Sequence, residues 1–135
     1  MTNKDLNNNS IYNKISLIQH NIENIKQDGI NRFQNYKFFN KEQVLRTLKP
    51  LLEEQKVALI ISDSEFTAEY LKDEKEYSVK FLKLIKLVDL ENTESQLSLN
   101  FWALGSNTDL AKAKGSADSY AMKNFLAEIF LILAE

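Results

Sequence analysis

The chain has 135 residues, 44% of them hydrophobic and 27% charged, with a formal net charge of −2. That size and composition describe one folded domain with a sizeable core, and the slight acidity excludes a surface coated in positive charge. With no cysteine, disulfides, thiolate metal sites and cysteine nucleophiles are excluded together, which suits a reducing compartment.

The first nine residues are polar and Asn-rich, hold no apolar run of the signal-peptide kind, and read as a flexible N-terminus ahead of a single domain over 10–135. Ser10 suits a helix N-cap. Ile11, Ile15, Ile18, Ile22 and Ile25 then fall at helical spacing, giving an N-terminal amphipathic helix with a stop near Gly29. Such an isoleucine stripe builds a core or a subunit interface. His20, the sole histidine, lies off the stripe with no acid or nucleophile pattern beside it, and reads as a surface residue.

Residues 30–39 carry Arg32, Phe33, Tyr36, Lys37, Phe38 and Phe39 and read as a loop with a short strand. The segment suits a hydrophobic edge on the core better than a base-stacking, phosphate-contacting lip. Asn40 and Gln43 form a capping-box pattern, and Val44, Leu45, Leu48, Leu51 and Leu52 continue it as a second short helix over 41–54. Pro50 inside that pattern predicts a kink or early break near Lys49.

Three to four antiparallel strands are expected next: residues 57–63, 64–71, 77–89 and 96–104, separated by turns at Asp73-Glu74 and at 90–95. In the long strand Lys80 and Lys86 share one face and Lys83 takes the other. Such lysines are ordinarily solvated or protect an edge. The last helix starts between Asp109 and Ser116, where Gly115 marks either that start or a close approach of backbones. Its apolar tail over 125–134 is interrupted by Glu128 and falls short of the roughly 20 residues that cross a bilayer, so no membrane partner is expected.

Enzymatic chemistry finds little support. The three glycines, Gly29, Gly105 and Gly115, allow neither a GxGxxG nor a GxxxxGK[ST] loop, and a zinc ligand set is missing. Asp63, Glu65, Glu69, Asp73, Glu74 and Glu76 raise the option of a magnesium-dependent nuclease, but such density at a hairpin is ordinarily a solvated turn. No cofactor, metal or catalytic residue is assigned.

The run Gly115-Ser116-Ala117-Asp118-Ser119-Tyr120-Ala121-Met122-Lys123-Asn124-Phe125-Leu126, closing on Ile129-Phe130-Leu131-Ile132, resembles the Erf family of phage single-strand annealing proteins, whose signature reads G-S-A-x-S-Y-A-x-K-Y-x-L followed by L-F-x-I. Tyr36-Lys37-Phe38 resembles the family's Y-K-Y, and Leu48-Lys49-Pro50-Leu51-Leu52 its K-P-L-L helix. Val57-Ala58-Leu59 with Ile61-Ser62-Asp63 resembles the strand that follows, and Trp102-Ala103 a less regular region. The likeness spans about residues 10–133. It departs where the family often has Arg (Phe39 here) and Tyr (Asn124 here).

The resemblance implies an α+β domain, an antiparallel β-meander packed on a long C-terminal helix, similar to the Rad-fifty-two-like annealing superfamily. It implies rings or helical filaments in the cytoplasm of a bacterial host that bind single-stranded DNA and anneal complementary strands without ATP during homologous recombination. A single-strand-binding protein or an exonuclease would be a natural partner. On this reading Lys123 is the main phosphate contact, with Ser116 and Ser119 on the same helix face and Lys112 and Lys114 at a helix N-terminus open to phosphate. Lys37, Arg32 and Lys41 are further cations, Tyr36 offers a stacking ring, and Tyr120 belongs to the core. The competing reading is a non-catalytic oligomeric interaction module.

Overall fold

The computed structural model describes residues 10–23, 29–31, 36–38 and 40–133. In chain order they form α1 (Ile11–Asn21), β1 (Gly29–Asn31), β2 (Tyr36–Phe38), α2 (Lys41–Gln55), β3 (Val57–Leu71), β4 (Glu76–Asp89), β5 (Gln96–Asn107) and α3 (Leu110–Phe130). This is an α+β fold. A three-stranded antiparallel sheet, ordered β3-β4-β5, packs against the C-terminal helix, and β1 and β2 pair as a separate antiparallel hairpin. The nine N-terminal residues, Ile25, Arg32, Phe33 and Phe39 lie outside the described residues.

The sheet is organised by the period-2 pattern of β4. Val79, Phe81, Lys83, Ile85, Leu87 and Asp89 are buried on one face, while Lys80 and Lys86 stand exposed on the other. The register carries both faces into the neighbouring strands: Lys83 lies opposite Asp63 and Phe101, and Lys86 opposite Ile60 and Ser98. Residues 57–71 form one strand, not two. A bulge between Ser64 and Thr67, with Glu65 at a φ of 53°, bends it and breaks the alternation that separated the two halves in the sequence.

The helices cover the inner face. Ser10 caps α1, its hydroxyl accepting from the Asn13 amide, and Ile11, Ile15 and Ile18 are buried. Asn40 and Gln43 close the capping box of α2 by exchanging hydrogen bonds of 2.8 and 2.9 Å. Helix α2 runs through Pro50 to Gln55 without a break, with only Val44 and Leu48 fully buried. Pro50 lies on the exposed side, where its missing donor leaves a carbonyl that water can serve. These faces meet Ile85, Leu87, Met122, Leu126 and Phe130 in the main core.

The long helix α3 carries Ala113 and Ala117 onto Val79, Phe81 and Ala103 in a second, smaller cluster. Here the glycine of consequence is Gly105. A Cβ at this position would lie 2.8 Å from the Ala117 Cβ and 3.2 Å from the Ala113 carbonyl oxygen, so the strand approaches the helix more closely than a side chain permits. Gly115 lies inside the helix with open space around it, since an added Cβ meets nothing within 4 Å. Neither alternative read for Gly115 holds: the helix starts at Leu110, and the close approach is made at Gly105. Further along, Phe101 and Phe125 stack at 3.7 Å between centroids and fasten β5 to the helix.

Gly105→Ala is expected to destabilise the protein by about 1–3 kcal/mol through overpacking, and Gly115→Ala to stabilise it by about 0.5–1 kcal/mol. Urea denaturation of the two variants, with Ala117→Gly as the partner that relieves Gly105→Ala, checks both signs.

Candidate nucleic-acid interface

Lys83 is 4% exposed, although its side chain ends in a charge. Isolated burial of an ammonium is prohibitive, so its partners matter. Asp63, directly across the strand pair, and Asp118, from α3, both make short ion pairs with its Nζ. Each aspartate holds a second lysine: Lys114 pairs with Asp63 at 3.1 Å, and Lys41 with Asp118 at 3.0 Å. One network of three lysines and two aspartates thus joins α2, β3, β4 and α3.

The titration of these groups follows from that geometry. Burial alone would raise the Asp63 and Asp118 carboxyls, but hydrogen bonds and charge from Lys83, with Lys114 and Lys41, hold both below the ordinary 3.8. Burial likewise opposes the charge on Lys83, and its two carboxylates outweigh burial and raise it above 10.5. A second pair ties α1 to the sheet: Lys14 Nζ lies 2.7 Å from buried Asp89 and 2.7 Å from Glu91.

Helix α3 has two differently charged sides. Ala113, Ala117, Met122 and Leu126 face inward. Lys112, Ser116 and Ser119 are exposed, and Lys123 is half-buried; together they line up at spacings of four, three and four. The stripe is about 16 Å long at 1.5 Å per residue. Among the described residues neither Lys112 nor Lys123 has an ion-pair partner. Lys123 Nζ instead rests 5.1 Å from the centre of the Tyr120 ring. Tyr120 is 66% exposed, which corrects its expected place in the core: it lies next to Ser119, outside the buried sector of the helix.

The structure therefore separates the sequence candidates. Lys112, Ser116, Ser119 and Lys123 share one open stripe. Lys114 and Lys41 sit in the carboxylate network on the far side of the helix from that stripe. Lys37 and Tyr36 fall in β2, and Arg32 lies outside the described residues. The helix N-terminus is not open to phosphate, because Asp109 caps it and accepts from the Lys112 amide at 2.9 Å. Lys83 escaped the sequence reading as a structural residue; its only signal was a parity opposite to Lys80 and Lys86.

Among the described residues no three His, Asp or Glu side chains gather as a metal site, and no helix is long and apolar enough to cross a membrane.

A family model, the ERF superfamily, matches residues 11–135. The chain belongs to the ERF superfamily. Membership supports, in general terms, a role as a phage single-strand annealing protein. No curated protein matches the chain. The matched region includes all of α3 and the Lys83 network, so the stripe and its support both lie within the ERF match.

The network gives a signed pH dependence. The lowered carboxyls contribute stability that is complete above 3.8 and lost as pH falls through their folded values; raised Lys83 contributes stability that is complete below 10.5 and lost as pH rises past it. Lys83→Met is expected to cost about 3 kcal/mol, because two carboxylates then face each other without their shared cation. Urea midpoints across the acid and alkaline limbs, with Lys83→Met/Asp63→Asn/Asp118→Asn as the relieving variant, measure this.

Proposed function

We propose that the protein binds single-stranded DNA along α3 and anneals complementary strands without ATP, acting as a homo-oligomeric ring or filament. The observation that carries this reading is the open stripe of Lys112, Ser116, Ser119 and Lys123, lying within the helix that bears the ERF signature. Annealing requires phosphates to be neutralised while base edges stay free. Lysines and hydroxyls on a helix do this without reading sequence, because contacts to phosphate position a strand and carry no base information. Lys112 and Lys123, unpaired with any carboxylate among the described residues, hold the phosphates, and the two serines donate hydrogen bonds between them.

The Lys83 network supports the stripe from behind. Asp118 lies one residue before Ser119, and its pairs to Lys83 and Lys41 fix the rotation of α3 on the sheet. Three lysines against two aspartates leave the network one net positive charge, but that charge lies across the helix from the stripe. Attraction of a polyanion by a chain of net charge −2 rests on the stripe's own Lys112 and Lys123. The chemistry asked of the protein is binding alone, and no residue is given a catalytic role.

Binding to oligo-dT at low salt, followed by fluorescence anisotropy, tests the stripe. Lys123→Ala and Lys112→Ala are each expected to weaken binding and to lower the log–log salt slope by about 0.7, the value for one single-strand phosphate contact. Unchanged affinity and slope in both variants, with oligomers intact by light scattering, would sink the assignment and leave a non-catalytic interaction module as the better reading.

A further inference from the structure

Between the edge strand β5 and α3 lies an aromatic groove of about 290 Å³, walled by Phe101, Trp102, Leu104, Tyr120, Asn124 and Phe125. That volume is at the small end of ligand clefts and matches one planar ring with its sugar. The two walls come from different faces. Trp102 belongs to the open face of the sheet, opposite Leu82 in the register, whereas Tyr120 borders the lysine stripe of α3. Both rings stay open to solvent, Trp102 at 47% and Tyr120 at 66%. Phe101 and Phe125 are already stacked on each other, and among the described residues neither outer ring stacks on another aromatic ring.

Each outer ring carries an ammonium. Lys80 Nζ stands 4.3 Å from the Trp102 ring centre, and Lys123 Nζ stands 5.1 Å from that of Tyr120. Two rings with a cation on each therefore bracket one apolar slot. Asn124 supplies an amide that can both donate and accept. Glu128 also borders the groove and is the one carboxylate among its walls, at the end away from Leu104.

We infer that this groove is a nucleobase pocket: one unpaired base of a single strand stacks on Trp102 and Tyr120 while Lys80 and Lys123 hold the phosphates on either side. The inference rests on the proposed binding of single-stranded DNA and adds to it where a base goes. The charge pattern selects this occupant. A second copy adding a strand to the β5 edge would need backbone and apolar complementarity but would have no use for two lysines aimed over the rings. An anionic strand with aromatic faces uses both features, and stacking is indifferent to base identity, which suits annealing of any sequence.

Trp102 is the sole tryptophan, so its emission reports on the pocket directly. The wild-type protein is titrated with oligo-dT and, separately, with an abasic sugar–phosphate strand of equal length, following Trp emission and anisotropy of a labelled strand together. Oligo-dT is expected to quench Trp102 and to bind at least about fivefold more tightly than the abasic strand, the low end for one stacked base. Tyr120→Ala, a surface change that should leave folding intact, is expected to narrow that ratio towards one. Equal binding of the two strands without quenching overturns the pocket while leaving the phosphate stripe standing. Binding of neither strand overturns both. A Trp emission shift that follows protein concentration and ignores oligo-dT overturns the pocket in favour of a second copy in the groove.

Discussion

The ammonium of Lys83, buried between two carboxylates, is the constraint on which the arrangement of this protein depends. Placing that charge among Phe81, Ile85 and the underside of α3 is tolerable only if Asp63 and Asp118 are both in reach. Asp63 is brought there by the β3–β4 register, and Asp118 by the rotation of α3. A sheet slipped by one residue would carry Asp63 to the other face, and a helix turned by one residue would swing Asp118 away by about 100°. The ion network therefore fixes geometry more than it adds stability. Net worth in a buried ion pair is small, whereas the penalty for a wrong arrangement is large.

From that constraint follows the division of α3 into a supported and an offered side. The close contact at Gly105 and the stacked pair Phe101–Phe125 fasten the helix at two further points along β5. With three attachments the helix cannot roll, and Lys112, Ser116, Ser119 and Lys123 are held outward as a straight stripe. The lysines nearest the carboxylates, Lys41 and Lys114, are held in ion pairs with Asp118 and Asp63. The aromatic groove begins where the stripe ends, with Tyr120 and Asn124 of its wall on either side of Lys123 in the helix.

Much of this was legible in the sequence wherever a local rule decided the outcome. The isoleucine spacing of α1, the capping box at Asn40 and Gln43 and the alternation along β4 and β5 each needed only neighbours in the chain. The ERF-like signature marked α3 as the helix that matters. What escaped required partners distant in sequence. Lys83 reads as one more strand lysine until Asp63 and Asp118 are placed beside it. Gly105 lies just past the strand expected over 96–104, and its role exists only because Ala117 packs against it. Tyr120 was read into the core, and its neighbours Ser119 and Ala121 do not reveal which way it faces; its exposure follows from the rotation of α3 on the sheet. Of the kink or early break read at Pro50, the break does not occur, because an exposed carbonyl can be hydrated without ending a helix. The bulge at Ser64–Thr67 merged two expected strands, and nothing in Glu65 signals a positive φ.

Strand annealing by the intact protein tests the central claim most directly. Two complementary oligonucleotides carrying a fluorescence donor and acceptor are mixed in buffer without ATP or magnesium, with and without protein. Pairing is expected to accelerate with the wild-type chain and to return to the spontaneous rate with Lys112→Ala/Lys123→Ala, whose fold and oligomeric state match wild type. Acceleration that persists undiminished in the double variant, or none with the wild-type protein, would contradict it.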